Sequence, residues 1–302
     1  MRHCILVLLA GFTPAPAPAP LPAQQVAGAE LWRLPAATLA VPPALAHHGA
    51  GAFWNPAQPA SAAERASVAL EVIQTAPTVG AAGVLLTARA RVGGVGRVGL
   101  VYGRVAIGDL VRTSLSPDPD PGTIPFYTQT AGATWSLATG PVTLGATLAH
   151  QDTKLDLVSA HRWTLDVGAR GAVSEALTVA VATHFFSRLA VDDPAQDVYG
   201  GIEVRVWRGS LWGSRAVAWG RYGIATAHRF GTDHQVGATL EIGSQFGSEV
   251  LVTREGGYGP VGWRFVPGIR VGVGHYHVSF ARDGGVNDVG AAYRVGLEAT
   301  VP

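Results

Sequence analysis

The chain has 302 residues, 48% of them hydrophobic and only 14% charged, enough for one large all-β domain or two ordinary domains. Its 22 Lys and Arg against 21 Asp and Glu give a net charge of +1, so it has neither a broad basic field for nucleic acid nor an acidic tail. Beyond the first residues no stretch stays apolar for the roughly 20 residues that a spanning helix needs, which argues against a helical membrane protein.

Met1-Arg2-His3 followed by the apolar run Cys4 to Phe12 has the dimensions of an export signal. Cleavage after Ala23, in Leu21-Pro22-Ala23-Gln24, divides the chain into a signal peptide (1–23), an N-terminal segment (24–62) and a main domain (63–302). Cys4 is the only cysteine and falls inside that signal. The mature chain then has no disulfide, no cysteine-ligated zinc and no cysteine nucleophile.

From about Ala66 onward, segments of roughly ten residues alternate apolar and mixed side chains, the period of β-strands. Over 162–170, Trp163, Leu165, Val167 and Ala169 share one face and Arg162, Thr164, Asp166 and Arg170 the other. Val198, Ile202, Val204 and Val206 likewise oppose Tyr199, Glu203 and Arg205, and Tyr293, Val295, Leu297 and Val301 oppose Arg294, Glu298 and Thr300. A soluble sandwich has the same alternation with its apolar face inward, so periodicity alone does not separate it from a membrane barrel.

The connections are more informative. Tight turns are expected at 93–96, 139–140, 174–175, 208–210 and 244–247, interleaved with longer loops at 113–123, 152–160, 190–195, 222–234 and 255–260. Short turns alternating with long loops mark outer-membrane barrels. The rhythm predicts about 14 antiparallel strands, an even number that leaves both ends of the barrel on the periplasmic side. Closure would pair every backbone N–H and C=O within the protein, as lipid demands. Trp163, Trp207, Trp212, Trp219, Trp263, Tyr276, Phe280 and Tyr293 are candidates for interface girdles.

Ahead of the first strand lies Ala46-His47-His48-Gly49-Ala50-Gly51-Ala52-Phe53-Trp54-Asn55-Pro56-Ala57. Proline fixes its own φ and biases Asn55 away from helix, so a turn is expected there. The segment resembles the N-terminal region of the long-chain fatty-acid transporter (FadL-like) superfamily, in particular its PorV/PorQ-like branch, where an Asn-Pro-Ala element precedes the first strand. The resemblance continues through Trp163 to Gly168 and Asn287 to Leu297 and spans most of the mature chain. The end, Glu298-Ala299-Thr300-Val301-Pro302, departs from it in lacking a terminal aromatic. The resemblance implies a 14-stranded barrel whose lumen is partly filled by residues 24–62, with Phe53, Trp54, Asn55, Pro56 and Ala57 as a hatch motif. It also implies two kinds of activity, passage of hydrophobic small molecules or service to protein secretion.

The polar strand faces carry Arg89, Arg91, Asp166, Arg170, Glu203, Arg205, Glu241, Arg264, Arg270, Arg294 and Glu298, a mixed-sign set expected to line the lumen and to pair across the sheet. His275 and His277, two apart, would share a strand face there, with no third metal ligand nearby. His47 and His48 are expected to diverge in a loop with no carboxylate at a useful spacing, and Asp118 and Asp120 lack the further oxygen ligands of a calcium loop. Gly93-Gly94-Val95-Gly96 leads into a strand, not the helix a phosphate loop requires, and no Gly-x-Ser-x-Gly elbow occurs.

These readings converge on a non-enzymatic barrel of the bacterial outer membrane, without metal or cofactor, allowing hydrophobic or amphipathic small molecules through. The alternative keeps the barrel as an outer-membrane adaptor for secretion-system proteins. A soluble secreted sandwich is the third possibility.

Overall fold

The computed structural model describes residues 29–59, 64–111, 122–186, 197–227, 231–256, 262–285 and 290–302. The expected signal 1–23, the Asp118 and Asp120 loop, 190–195, 257–260 and Asn287-Asp288-Val289 lie outside the described residues.

The first seven strands are β1 (Ala66–Thr75), β2 (Ala81–Val92), β3 (Gly96–Ile107), β4 (Phe126–Thr139), β5 (Val142–Leu155), β6 (Val158–Ser174) and β7 (Leu177–His184). The second seven are β8 (Asp197–Leu211), β9 (Ser214–Ala227), β10 (Gly231–Ile242), β11 (Phe246–Arg254), β12 (Trp263–Val273), β13 (Tyr276–Asp283) and β14 (Ala292–Val301). Each pairs antiparallel with its neighbours in sequence, and β1 pairs with β14 from Ala66↔Val301 to Thr75↔Ala292, so the sheet closes into a barrel.

The burial pattern decides between barrel and sandwich. Val68, Leu70, Val72, Leu144, Leu148, Trp163, Leu165, Val167, Ile202, Val204, Val295 and Leu297 are exposed on the outer face. Thr128, Thr130, Thr134, Thr147, Gln151, Arg162, Thr164 and Asp166 are buried on the inner one. A soluble sandwich buries its apolar face; this barrel turns it outward, which is stable only against lipid. Of the girdle candidates, Trp163, Trp207, Trp212, Trp263, Tyr276, Phe280 and Tyr293 are exposed, while Trp219 is half-buried.

One end of the barrel carries connections of two or three residues at 93–95, 140–141, 175–176, 212–213, 243–245 and 274–275, and the chain enters and leaves the barrel there. The opposite end carries the longer ones, 108–125 and 185–196 among them. Three expected connections differ. The turn expected at 208–210 falls at Trp212-Gly213, where both residues have positive φ (51° and 77°), the geometry of a two-residue hairpin turn. Gly209 instead lies within β8 beneath the Trp207 ring, where a Cβ would collide with it. The long connections expected at 152–160 and 222–234 shrink to 156–157 and 228–230 because the flanking strands run on. Asp152 sits in β5 and accepts a hydrogen bond from Gln129 Nε2 across the strand pair (3.1 Å).

Residues 29–59 fold into the lumen as a plug of short helical turns at Ala29–Trp32, Arg33–Ala37, Pro43–Leu45 and Gly51–Trp54. The main apolar core lies between this plug and the wall from β1 to β8. Leu31, Trp32, Leu45, Phe53 and Trp54 of the plug pack with Ile73, Leu85, Val101, Val105, Ala180, Ala182, Phe185 and Tyr199.

Candidate transport path and plug

The plug owes its seat to the residues around Asn55-Pro56. Asn55 is extended (φ −139°, ψ 107°), as a residue before proline must be. Its side chain satisfies the turn from both sides: Nδ2 donates to the Ala44 carbonyl (2.7 Å), and Oδ1 accepts from the Ala57 N–H (2.9 Å). The wall opposite is cut away to receive it. A Cβ on Gly145 would collide with the Pro56 backbone, one on Gly168 with the Asn55 amide. Phe53 lies 5.4 Å from Trp32 and 5.2 Å from Trp54, centroid to centroid, and Trp32 lies 4.9 Å from Phe185. Trp32 Nε1 donates to Thr128 Oγ1 of β4 (2.9 Å).

Charged wall residues hold the plug's backbone. Arg294 is shared among three acceptors: Glu71 Oε2 (2.6 Å), Thr38 Oγ1 (3.1 Å) and the Pro35 carbonyl. Glu71 Oε1 accepts from the Ala50 N–H and Glu298 from the Gly49 N–H, both at 3.0 Å. Gly49 has φ +57° and a Cβ there would strike the Glu71 carboxylate, so only glycine fits. Arg170 donates to the Leu45 carbonyl (2.9 Å) and pairs with Glu203 (3.3 Å), which also binds Arg221 (2.6 Å). Arg89 reaches the Gln58 carbonyl (3.3 Å).

The other sequence candidates scatter along the inner wall. Asp166 pairs with buried His184 (3.4 Å), and Arg205 lies 3.7 Å from the exposed Glu175 at the turn end. Arg264 bridges Glu255 (2.6 Å) and Asp283 (3.6 Å) towards the loop end. Arg91 faces a separate recess of about 360 Å³ beside Gln58. His275 is in the two-residue turn 274–275, not on a strand, while His277 is on β13; both line the mouth at the turn end.

Mainly against the wall from β10 to β14, and reaching β1, β2, β8 and β9 at their edges, the plug leaves three gaps. Near the loop end a cavity of about 220 Å³ is lined by Arg33, Leu34 and Pro43 of the plug and by Asp233, Gln235, Leu251, Glu255, Arg264 and Asp283. A gap of about 70 Å³ follows among Leu39, Ala40, Trp54, Glu71, Glu249 and Ala281. A cavity of about 590 Å³ at the turn end contains His47, His48, Glu241, Arg270, His277 and Glu298. The narrow middle is bounded by a small apolar cluster, with Ala40 of the plug against Leu251, Val266 and Ala281.

The sequence expectation for His47 and His48 is corrected here. Their rings do not diverge but lie 4.0 Å apart, and a carboxylate does reach them: Glu241 of β10, 3.9 Å from each Nε2. Desolvation inside the barrel, then the charge of His47, lowers the His48 pKa well below its usual value. Two adjacent histidines and a glutamate almost two hundred residues later carry no common sequence signature, so only the fold brings them together.

No protein-family model matches the chain, and no curated protein matches it. Among solved structures it is similar to the Pseudomonas putida toluene transporter TodX, with 13% identity, a TM-score of 0.56 and coverage of 92% of this chain and 99% of that one. A second TodX structure gives 10% identity and a TM-score of 0.50 over 84% and 94% of the two chains. A mutant of Rh. blastica porin also matches, at 9% identity and a TM-score of 0.43, over 78% of this chain and 99% of the porin. What the chain shares with TodX at such identities is its fold, a closed antiparallel barrel.

Proposed function

We propose that the chain is a FadL-like barrel of the bacterial outer membrane that lets small hydrophobic or amphipathic molecules pass between its plug and its wall. In this reading residues 1–23 are a cleaved signal, 24–62 form the plug with its Phe53-Trp54-Asn55-Pro56-Ala57 hatch motif, and 63–302 form the barrel with its turn end in the periplasm. The row of cavities along β10–β14 carries it. Their lining mixes Arg, Asp and Glu with Leu, Ala and Pro, which suits a compound with a polar and an apolar part. The outer cavity, about 220 Å³, falls below the roughly 300–1,000 Å³ of drug-sized sites, so the solute is small. The middle gap is narrower still, and passage requires the plug to shift by a side chain or more. The fold shared with TodX, a toluene transporter, supports the same direction. A path beside the plug favours this reading over a secretion-system adaptor, which has no use for one.

The test exploits the absence of cysteine after Cys4. Ala40→Cys and Ala281→Cys, which pack in one cluster, should form a disulfide that ties plug to wall. In proteoliposomes, oxidation should cut uptake of small amphipathic compounds at least tenfold, and reductant should restore it. Uptake indifferent to the tether, or recovery of the native chain as a soluble periplasmic protein, would sink the reading.

A further inference from the structure

The side-chain atoms His47 Nε2, His48 Nε2 and Glu241 Oε1 lie within 4.8 Å of one another, with the carboxylate oxygen 3.9 Å from each imidazole. Metal–ligand bonds of about 2.1 Å in a tetrahedral shell place donors roughly 3.4 Å apart, so the carboxylate needs to close on each imidazole by about half an ångström, and no pair by more than about 1.4 Å. Rotation about the Glu241 side chain closes the carboxylate on the imidazoles, and rotation of the two histidine side chains closes them on each other.

His47 has the hydrogen bond of a metal ligand. His47 Nδ1 lies 3.0 Å from the Leu45 carbonyl, an acceptor that fixes the proton on Nδ1 and leaves the Nε2 lone pair facing Glu241. His48 Nε2 is shielded from solvent and has no hydrogen-bond partner. A buried polar atom left unpaired is costly, and this one points at the same carboxylate.

Arg270 of β12 is the complication. One guanidinium nitrogen donates to His48 Nδ1 (2.9 Å), and another lies 3.6 Å from Glu241 Oε1. An imidazole that accepts at Nδ1 carries its proton on Nε2 and cannot ligate through that atom. Metal and the Arg270 contact therefore exclude each other, and each satisfies the same carboxylate.

We propose that His47, His48 and Glu241 form a site for a first-row divalent cation of the Zn²⁺ type, in which Arg270 is the resident cation that the metal displaces. Two imidazoles and one carboxylate leave a fourth position open to water from the 590 Å³ cavity at the turn end. Two ligands belong to the plug and one to the wall, so the bound ion ties the plug to β10. The inference is independent of what the barrel carries.

The test is calorimetric titration of tag-free, detergent-purified full-length protein with ZnCl₂, with heat-modifiable gel mobility certifying that each variant is folded. Wild type should bind one ion with an affinity that falls at least tenfold in His48→Ala and in Glu241→Gln. Arg270→Gln should bind several-fold tighter, since it removes the competing charge and draws the donor back from Nδ1 on a shorter side chain. The double variant His275→Ala/His277→Ala, which alters the same mouth but spares the site, should bind as wild type does. No saturable binding, binding that survives Glu241→Gln, or binding lost in the His275/His277 variant would overturn the site; an Arg270→Gln protein that binds no tighter would overturn the competition.

Discussion

The plug meets two different walls. Against β1 to β8 it is fitted by shape: glycines at 145 and 168 admit the Asn55-Pro56 turn, and Trp32, Phe53 and Trp54 close over Phe185 and Tyr199. Against β10 to β14 it faces cavities spanned by side chains that hold charge. Close packing resists displacement because every ångström of separation forfeits many small contacts. Ion pairs and hydrogen bonds across a gap can instead be exchanged for water one at a time. The contrast locates the fixed side of the plug and the side that can open.

Three substitutions press on that contrast, in descending order of effect. Arg294→Ala leaves Glu71 buried without its cation and releases the Thr38 hydroxyl and the Pro35 carbonyl. Removing one partner of a buried pair costs about 3–5 kcal/mol. The midpoint of urea unfolding in detergent micelles should fall accordingly, and a midpoint near wild type would mean that Arg294 does not anchor the plug. Gly145→Val drives a side chain into the Pro56 backbone; overpacking of this kind costs about 1–3 kcal/mol. The plug should lift from the fixed wall, read as faster proteolysis of residues 29–59 in an otherwise protease-resistant barrel. Equal proteolysis rates would remove the distinction between the two walls. Arg205→Ala loses a 3.7 Å contact to Glu175, whose side chain is 87% exposed, and solvent-exposed pairs contribute about 1 kcal/mol or less. Its unfolding midpoint and uptake should match wild type, and a large loss would show that charge at the turn end matters beyond local pairing.

How much of this was legible in sequence follows from the range of each signal. The faces of β6, β8 and β14 read correctly from alternation, because period two is a local property of the strand. The strand number read correctly from the spacing of turns. Individual turns failed where a glycine served packing. Gly209 accommodates Trp207 and Gly223 accommodates Pro42 of the plug, yet in sequence each resembles a break. The polar run at Asp152-Thr153-Lys154 imitates a loop because the end of β5 is polar on both faces, with Thr153 buried towards the lumen and Asp152 and Lys154 on the other side. Parity alone groups the mixed-sign residues on one strand face. It does not reveal their partners, since Arg294 with Pro35 or Glu241 with His48 join points that only barrel closure brings together.

The β1–β14 seam carries a consequence for the order of events during biogenesis. Glu71 lies on the first strand of the barrel and Arg294 and Glu298 on the last, and all three grip the N-terminal plug. The joint grip of the two strands does not exist while the sheet is open. The segment made earliest among those described thus gains its last clamps, those from β14, only when the final hairpin zips against β1, so completing the seat of the plug and sealing the cylinder become one concluding step of assembly.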